Sequence, residues 1–460
     1  MHKSVGPTAI RARWIVPVDQ PPIEDGVVLI SQKRILSVGK YAKLRSHLPR
    51  ASSYIDFGDA SVLPGLINAH THLELSDCPV PIPAQGHSFA TWIEAVIAQR
   101  RARGGHSPAV VKQGLAECLR FGITAVGDIA QWGCAPSDYC LTVAGQQEGQ
   151  PTDILPGQPG GPDSATTGHS REGGKTTPSD HPPGIIPKGI AFLECISPLA
   201  EKADELSRRI DEFSAFSWPK GLKPGIAPHA PYTVHVDILR QLVDLACARK
   251  LPVAFHLAES SEEIELLQTE SGPLRELLEK RGLWSANLTG GLTAGDYLRL
   301  LAKTPRVLII HGNLLSEGDV DFLATQEHMF IVHCPRSFSH FGWGRFPLAE
   351  LLARGVRLAI GTDSRASTPD LNLMAELCHV FQKYPEVPPA KLVALVTIEP
   401  AEALGIGDQV GTLTPGKAAD LVVYPLPPEE KQTPFGFLTV TEPDPLAVWF
   451  DGIPVRRVVR

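Results

Sequence analysis

The stretch Leu63–Glu74, LPGLINAHTHLE, is an apolar run that ends on two histidines, His70 and His72. Side chains two apart on a strand face the same way, so both imidazoles would leave one strand end toward a common point. Three later stretches repeat the arrangement of an apolar run followed by a polar side chain: VAFHLAES (253–260) with His256, RVLIIHGNLL (306–315) with His311, and RLAIGTDS (357–364) with Asp363. Each polar group therefore falls where a buried strand leaves the core. Zinc takes imidazole nitrogen and carboxylate oxygen readily, and a catalytic zinc keeps one position open. His70, His72, His256 and Asp363 are the expected ligands of one divalent metal ion.

Working outward, short apolar runs alternate with amphipathic helical stretches from about Leu63 to Gly405. The candidate strands are SVLPGLINAH, GITAVGDIA, GIAFLECIS, GLKPGIAPH, PVAFHLAE, RVLIIHG, MFIVHC and RLAIGTD. Between them, VDILRQLVDLACARK (236–250) sets Ile238, Leu239, Leu242, Leu245 and Ala246 along one helical face. Before SEEIELL, Ser260 with Glu263 has the spacing of a capping box. Eight strand–helix alternations predict an α/β fold, a (β/α)8 TIM-type barrel over 61–405, whose site lies at the strand C-termini. Both chain ends read differently. AIRARWIVPV, GVVLI and RILSVG near the start, and ADLVVYPL, LAVWFDG and PVRRVV near the finish, are short Val- and Ile-rich strands between turn residues. They predict a small composite β-sandwich domain from 1–60 and 406–460. Residues 145–187, crowded with Gly, Pro, Ser and Thr, predict a disordered insertion between the second and third strands, with His169 and His181 solvated on it.

The bulk composition excludes several classes. Of 460 residues, 43% are hydrophobic and 20% charged, as in an ordinary globular enzyme. A net charge of -7 gives no basic face for nucleic acid. No apolar run is long enough to cross a bilayer, and the first residues carry no signal-peptide core. The eight cysteines are scattered with no CxxC pair, which fits a reducing, cytoplasmic setting.

The remaining chemistry is local to the same strand ends. Glu259, three residues after His256, is placed to shuttle protons beside a metal ligand; its position before SEEIELL also allows a helix N-terminal carboxylate, and of the two the shuttle is the favoured reading. Asp363 follows the apolar run RLAI, where a carboxylate without a cation would be costly. It is expected both to bind metal and to accept a hydrogen bond from the attacking water, with His311 orienting that water. His229 in GIAPHAPYT ends the fourth strand. Arg336 and Ser337 follow the seventh and are candidate substrate contacts. Cys334 is adjacent to His333, so the two point opposite ways, and Cys334 reads as core filler.

As a set, PGLINAHTHLE, PHAPYT, FHLAE, IIHG, HCPRS, GTDS and GTLTPGKAADLVV resemble the amidohydrolase superfamily. The resemblance covers nearly the whole chain except 145–187. It is nearest the branch of S-adenosylhomocysteine and 5'-methylthioadenosine deaminases, guanine deaminase and triazine hydrolases. LINAHTHLELS and SGPLRELLEKRG look like aminodeoxyfutalosine deaminases. The resemblance implies a mononuclear zinc or iron site on His70, His72, His256 and Asp363. It further implies Glu259 as proton shuttle, His311 near the hydroxide, His229 against the substrate ring, and a homodimer. Dinuclear relatives carry a carboxylated lysine where this chain has His229, which favours one metal. HCPRSFSHFGW lacks an asparagine pair common in that branch and has aromatics instead, which bears on the substrate more than on the reaction.

The expected activity is hydrolytic deamination of an adenine nucleoside derivative or a related aminated heterocycle. A cyclic amidase or a chlorohydrolase-type enzyme would use the same residues on another bond, and a non-catalytic scaffold would have lost ligands. None is lost here.

Overall fold

The computed structural model describes residues 6–48, 53–141, 184–199 and 203–457. Eight parallel strands form the main sheet: Leu66–Thr71, Ile123–Ala130, Lys188–Cys195, Leu222–Pro228, Val253–Leu257, Val307–His311, Met329–His333 and Leu358–Ile360. They neighbour one another in chain order, and the first meets the last through a parallel bridge between Thr71 and Asp363. This bridge brings the two ends of the sheet together into a nearly closed barrel. Alternation along each strand divides the apolar side chains into two layers. Ile67, Ala125, Phe192, Ala254, Leu308, Phe330 and Ala359 belong to one cluster, and Leu66, Val126, Leu193, Phe255, Ile309, Ile331 and Leu358 join the helices in another.

Helices fill the connections. Val236–Arg249 buries Ile238, Leu239, Leu242 and Ala246 as their spacing predicts, with Leu245 at the rim. Ser260 caps Ser261–Thr269, its side chain accepting from the Glu263 amide. The reciprocal half of the expected capping box does not form, because Glu263 accepts instead from the amides of Ala258 and Glu259. The helix Phe89–Arg103 begins on the side-chain cap Ser88 and ends at Gly104, whose φ of 86° is open to glycine without strain.

A second sheet combines both chain ends. Thr8–Ile15, Ile23–Ser31, Arg34–Lys40, Ser53–Asp56 and Ala60–Pro64 pair with Leu421–Pro425, Ala447–Phe450 and Ile453–Arg457 in one hydrogen-bonded sheet. Ile10, Ile15, Val28, Ile30, Val62, Val423 and Trp449 share a single apolar core. The run SVLPGLINAH, expected as one strand, is divided at Gly65. Ala60–Pro64 pairs with Leu421–Pro425, and only Leu66–Thr71 enters the barrel. A Cβ on Gly65 would fall 2.4 Å from Thr124 Oγ1, so the chain passes between the two sheets where only glycine fits. Most of the expected insertion, with His169 and His181, lies outside the described residues. Its last part, 184–187, is ordered: Ile185 pairs with Leu141 through two hydrogen bonds of 2.9 Å. Among the described residues no helix is long and apolar enough to cross a membrane.

Candidate active site

The strand ends converge. His70 is the penultimate residue of the first barrel strand and His72 follows its end, while His256 lies near the end of the fifth and His311 is the last residue of the sixth. Asp363 lies three residues past the eighth, and the amides of Thr362 and Asp363 both donate to the His70 carbonyl at 3.1 Å. His311, Asp363 and Ala258 are non-glycine residues with φ of 69°, 59° and 53°. Such conformations cost free energy and persist only where surrounding bonds hold them. Here they fall at or just past the ends of the fifth, sixth and eighth strands.

The side chains form one buried cluster. His70 Nε2 and His72 Nε2 lie 3.6 and 3.7 Å from Asp363 Oδ1. The His70 ring centroid is 4.9 Å from that of His72 and 5.0 Å from that of His256. Ligand atoms of His70, His72 and Asp363, and likewise of His70, His256 and His311, all lie within 4.8 Å of one another. His256 Nδ1 faces the His229 carbonyl at 3.0 Å, which leaves its Nε2 for the cluster. Asp363 Oδ2 accepts from Ser337 at 2.8 Å and Ser367 at 3.0 Å, so Oδ1 is left for the histidines. Both ring nitrogens of His70 and Nδ1 of His72 are buried without a hydrogen-bond partner. Orphaned nitrogens at the centre of a donor cluster are what a cation would satisfy.

Electrostatics prepare the same state. Burial, reinforced by the neighbouring histidines, holds His72 and His256 well below the usual imidazole range. Burial pushes His311 down to about 3. Burial would raise Asp363, but the imidazoles of His70, His311 and His72 gathered around it outweigh that and hold the carboxyl down. Neutral imidazoles around an ionised carboxylate are the protonation state that metal binding requires. Glu259 goes the other way. Burial first, then the carboxylates of Asp363 and Glu263, push it well above the ordinary carboxyl range. Its Oε1 lies 3.3 Å from His311 Nε2.

Above the cluster lies a pocket whose floor includes His72, His256, Glu259, His311 and Asp363. Its wall comes largely from the helix Phe89–Arg103, through Phe89, Trp92, Ile93, Val96 and Arg100 at helical spacing. Tyr232, Thr233 and Ile196 line the other side. His229 is also in the wall, its Nδ1 2.8 Å from Thr233 Oγ1 and its ring 5.0 Å from that of His256. Two expected substrate contacts have other partners. Arg336 is turned away, paired with Glu376 and with Asp370 at 2.7 Å, because a buried guanidinium needs carboxylates. Ser337 donates to Asp363, which makes it a support for that carboxylate. Cys334 is buried, and its neighbour His333 stacks on Phe346 at 3.8 Å. Sequence reasoning did not single out Trp92, Arg100, Glu194 or Ser367 as site residues. Glu194 ends the apolar run GIAFL and carries the same strand-end signal as the histidines, whereas Arg100 has no local mark.

Comparison with known proteins agrees with this geometry. Residues 61–456 match the amidohydrolase family. The aminodeoxyfutalosine deaminase of Deinococcus radiodurans is 28% identical over 383 residues, 80% of this chain and 78% of that protein. A 5-methylthioadenosine/S-adenosylhomocysteine deaminase of Syntrophobacter fumaroxidans is 28% identical over 416 residues, 87% of this chain and 80% of that protein. The crystal structure of Helicobacter pylori aminofutalosine deaminase in complex with methylthio-coformycin superposes with a TM-score of 0.77. It covers 97% of this chain and 99% of its own at 22% identity, a likeness of fold. With the donor cluster at the barrel's strand ends and the family match covering the whole barrel and the C-terminal strands of the second sheet, the chain belongs to the amidohydrolase family.

Proposed function

We propose that this protein hydrolytically deaminates the adenine ring of a nucleoside derivative, of the aminodeoxyfutalosine, 5'-methylthioadenosine or S-adenosylhomocysteine type. The observation that carries the reading is a Glu259 carboxyl whose pKa burial pushes well above the ordinary carboxyl range, 3.3 Å from His311 and beside the donor cluster. The names of the two relatives support the same substrate class.

His70, His72, His256 and Asp363 would hold one divalent ion. Zinc suits three imidazoles and a carboxylate, and iron accepts the same set. Such an ion supplies an acidified water, lowering its pKa from about 15.7 toward about 7. Asp363 and His311 orient the attacking oxygen toward the amino-bearing carbon. Glu259 gives its proton to the ring nitrogen beside that carbon, so the ring gains no negative charge as the C–O bond forms. With hydroxide as the attacking species, the carboxylate left on Glu259 takes the one proton remaining on that oxygen and passes it to the amine, and the proton that water gave up on ionising restores Glu259 for the next turnover. The C–N bond then breaks, ammonia leaves, and a ring carbonyl remains. Trp92 and Phe89 offer apolar faces for the base, and His229 reaches its edge.

The test is ammonia release by the metal-replete protein from 5'-methylthioadenosine, S-adenosylhomocysteine, aminodeoxyfutalosine, guanine and an aminotriazine. Release from an adenine nucleoside, lost on chelation and restored by zinc, is expected. Release from none of them would remove deamination. Chloride release from a chlorotriazine, or ring opening of a cyclic amide, would favour the same residues acting on another bond.

A further inference from the structure

A second set of charges stands at the pocket wall, beyond the donor cluster. Glu74 takes both Arg100 and Arg103, with Arg103 Nη2 2.6 Å from its Oε2. Arg100 Nη1 is left 3.5 Å from Glu194 Oε2, a charge contact too long for a good hydrogen bond. Glu194 is nevertheless buried, its side chain 6% exposed. Its Oε1 has no hydrogen-bond partner among the described residues and lies 4.0 Å from His229 Nε2. A buried carboxylate oxygen without a donor is costly, so the donor is expected from whatever fills the pocket.

Position identifies that donor. The amino-bearing carbon of the base must lie at the donor cluster, beside Glu259. His229 is one ring farther along the wall, its centroid 5.0 Å from that of His256, and Glu194 lies beyond it. That is the direction in which a purine extends from its amino group toward its sugar. The far edge of adenine offers acceptors only and cannot satisfy a carboxylate, whereas the sugar carries hydroxyl donors. We propose that Glu194 is a specificity-determining residue whose Oε1 accepts a hydrogen bond from a sugar hydroxyl, with Arg100 balancing its charge. This rests on the deamination reading above and adds the part of the substrate that is recognised.

The test compares kcat/KM for ammonia release from 5'-methylthioadenosine and adenosine with that from their 2',3'-dideoxy counterparts, in the wild type and Glu194→Gln. The wild type is expected to favour the hydroxylated nucleosides by about 100-fold, and the variant by less than about tenfold. The ratio is taken within each protein, so a partly misfolded variant does not imitate the effect. Metal content and melting temperature are expected to match. A preference as large in the variant as in the wild type overturns the assignment of Glu194, and so does a wild type indifferent to the hydroxyls. Ammonia from none of the four in the wild type removes the nucleoside reading and the inference with it.

Discussion

Under the proposed deamination, position makes an ordinary residue, Glu259, the proton carrier. It is 6% exposed, with the amide held by Glu263 at 2.9 Å and the carbonyl by Asn313 at 2.9 Å, so its backbone cannot turn the carboxyl elsewhere. Replacing it by Gln retains the shape but removes the transferable proton. Turnover is expected to fall by about 10² to 10⁴-fold with metal content unchanged, as read by ammonia-release kinetics and metal analysis. Glu263 gives a pH prediction. Burial raises it to about 7 from 4.5, against the two amide hydrogen bonds that lower it. Between those values the folded protein keeps a proton that the unfolded chain has released. This group's contribution to stability is therefore complete below about 4.5 and is lost as pH rises through about 7. In urea unfolding at pH 5.5 and 7.5, the wild type should lose more stability across that interval than Glu263→Gln does; parallel losses would discard the assignment.

At the scale of elements, the strand ends carry both the fold and the chemistry. The period-two alternation that buries one side of each strand also brings His70 and His72 to the same mouth. These elements were legible because the eight apolar runs are short, β-branched and separated by amphipathic helices. Two features were not. The break at Gly65 is invisible in a run of apolar residues, since the choice between two sheets depends on which partner strand lies alongside. Arg336 and Ser337 were placed by proximity in sequence to a strand end, but Glu376, from a helix 40 residues later, takes the arginine. Closure of the barrel gives a direct test. A Cβ on Gly361 would lie 2.7 Å from the His70 carbonyl oxygen and 2.9 Å from His70 Cβ, and backbone cannot yield as a flexible side chain would. Gly361→Ala is expected to cost about 1–3 kcal/mol and to weaken metal retention. Thermal melting and metal analysis check both; unchanged values would mean the closure is looser than the contacts imply.

For the whole molecule, one ion-pair network ties the barrel to the sheet made from the chain ends. Lys188, at the start of the third barrel strand, lies 2.8 Å from both Asp420 Oδ2 and Asp451 Oδ1. Its ammonium also sits 4.1 Å from the centre of the Phe450 ring. Lys188→Met would leave a buried carboxylate uncompensated and is expected to cost about 3–5 kcal/mol in urea unfolding. A loss below about 1 kcal/mol would show that solvent or Lys33 can replace the lysine. The amino-acid sequence by itself determined the barrel, the composite sheet and which polar side chains stand at the strand ends, because periodicity and residue type are local properties that repeat at every strand end. Only the tertiary structure decided where the chain crosses between sheets, which arginine faces the pocket and which carboxylate oxygen lacks a partner. Those outcomes depend on groups far apart in the chain competing for the same few hydrogen bonds in a buried space.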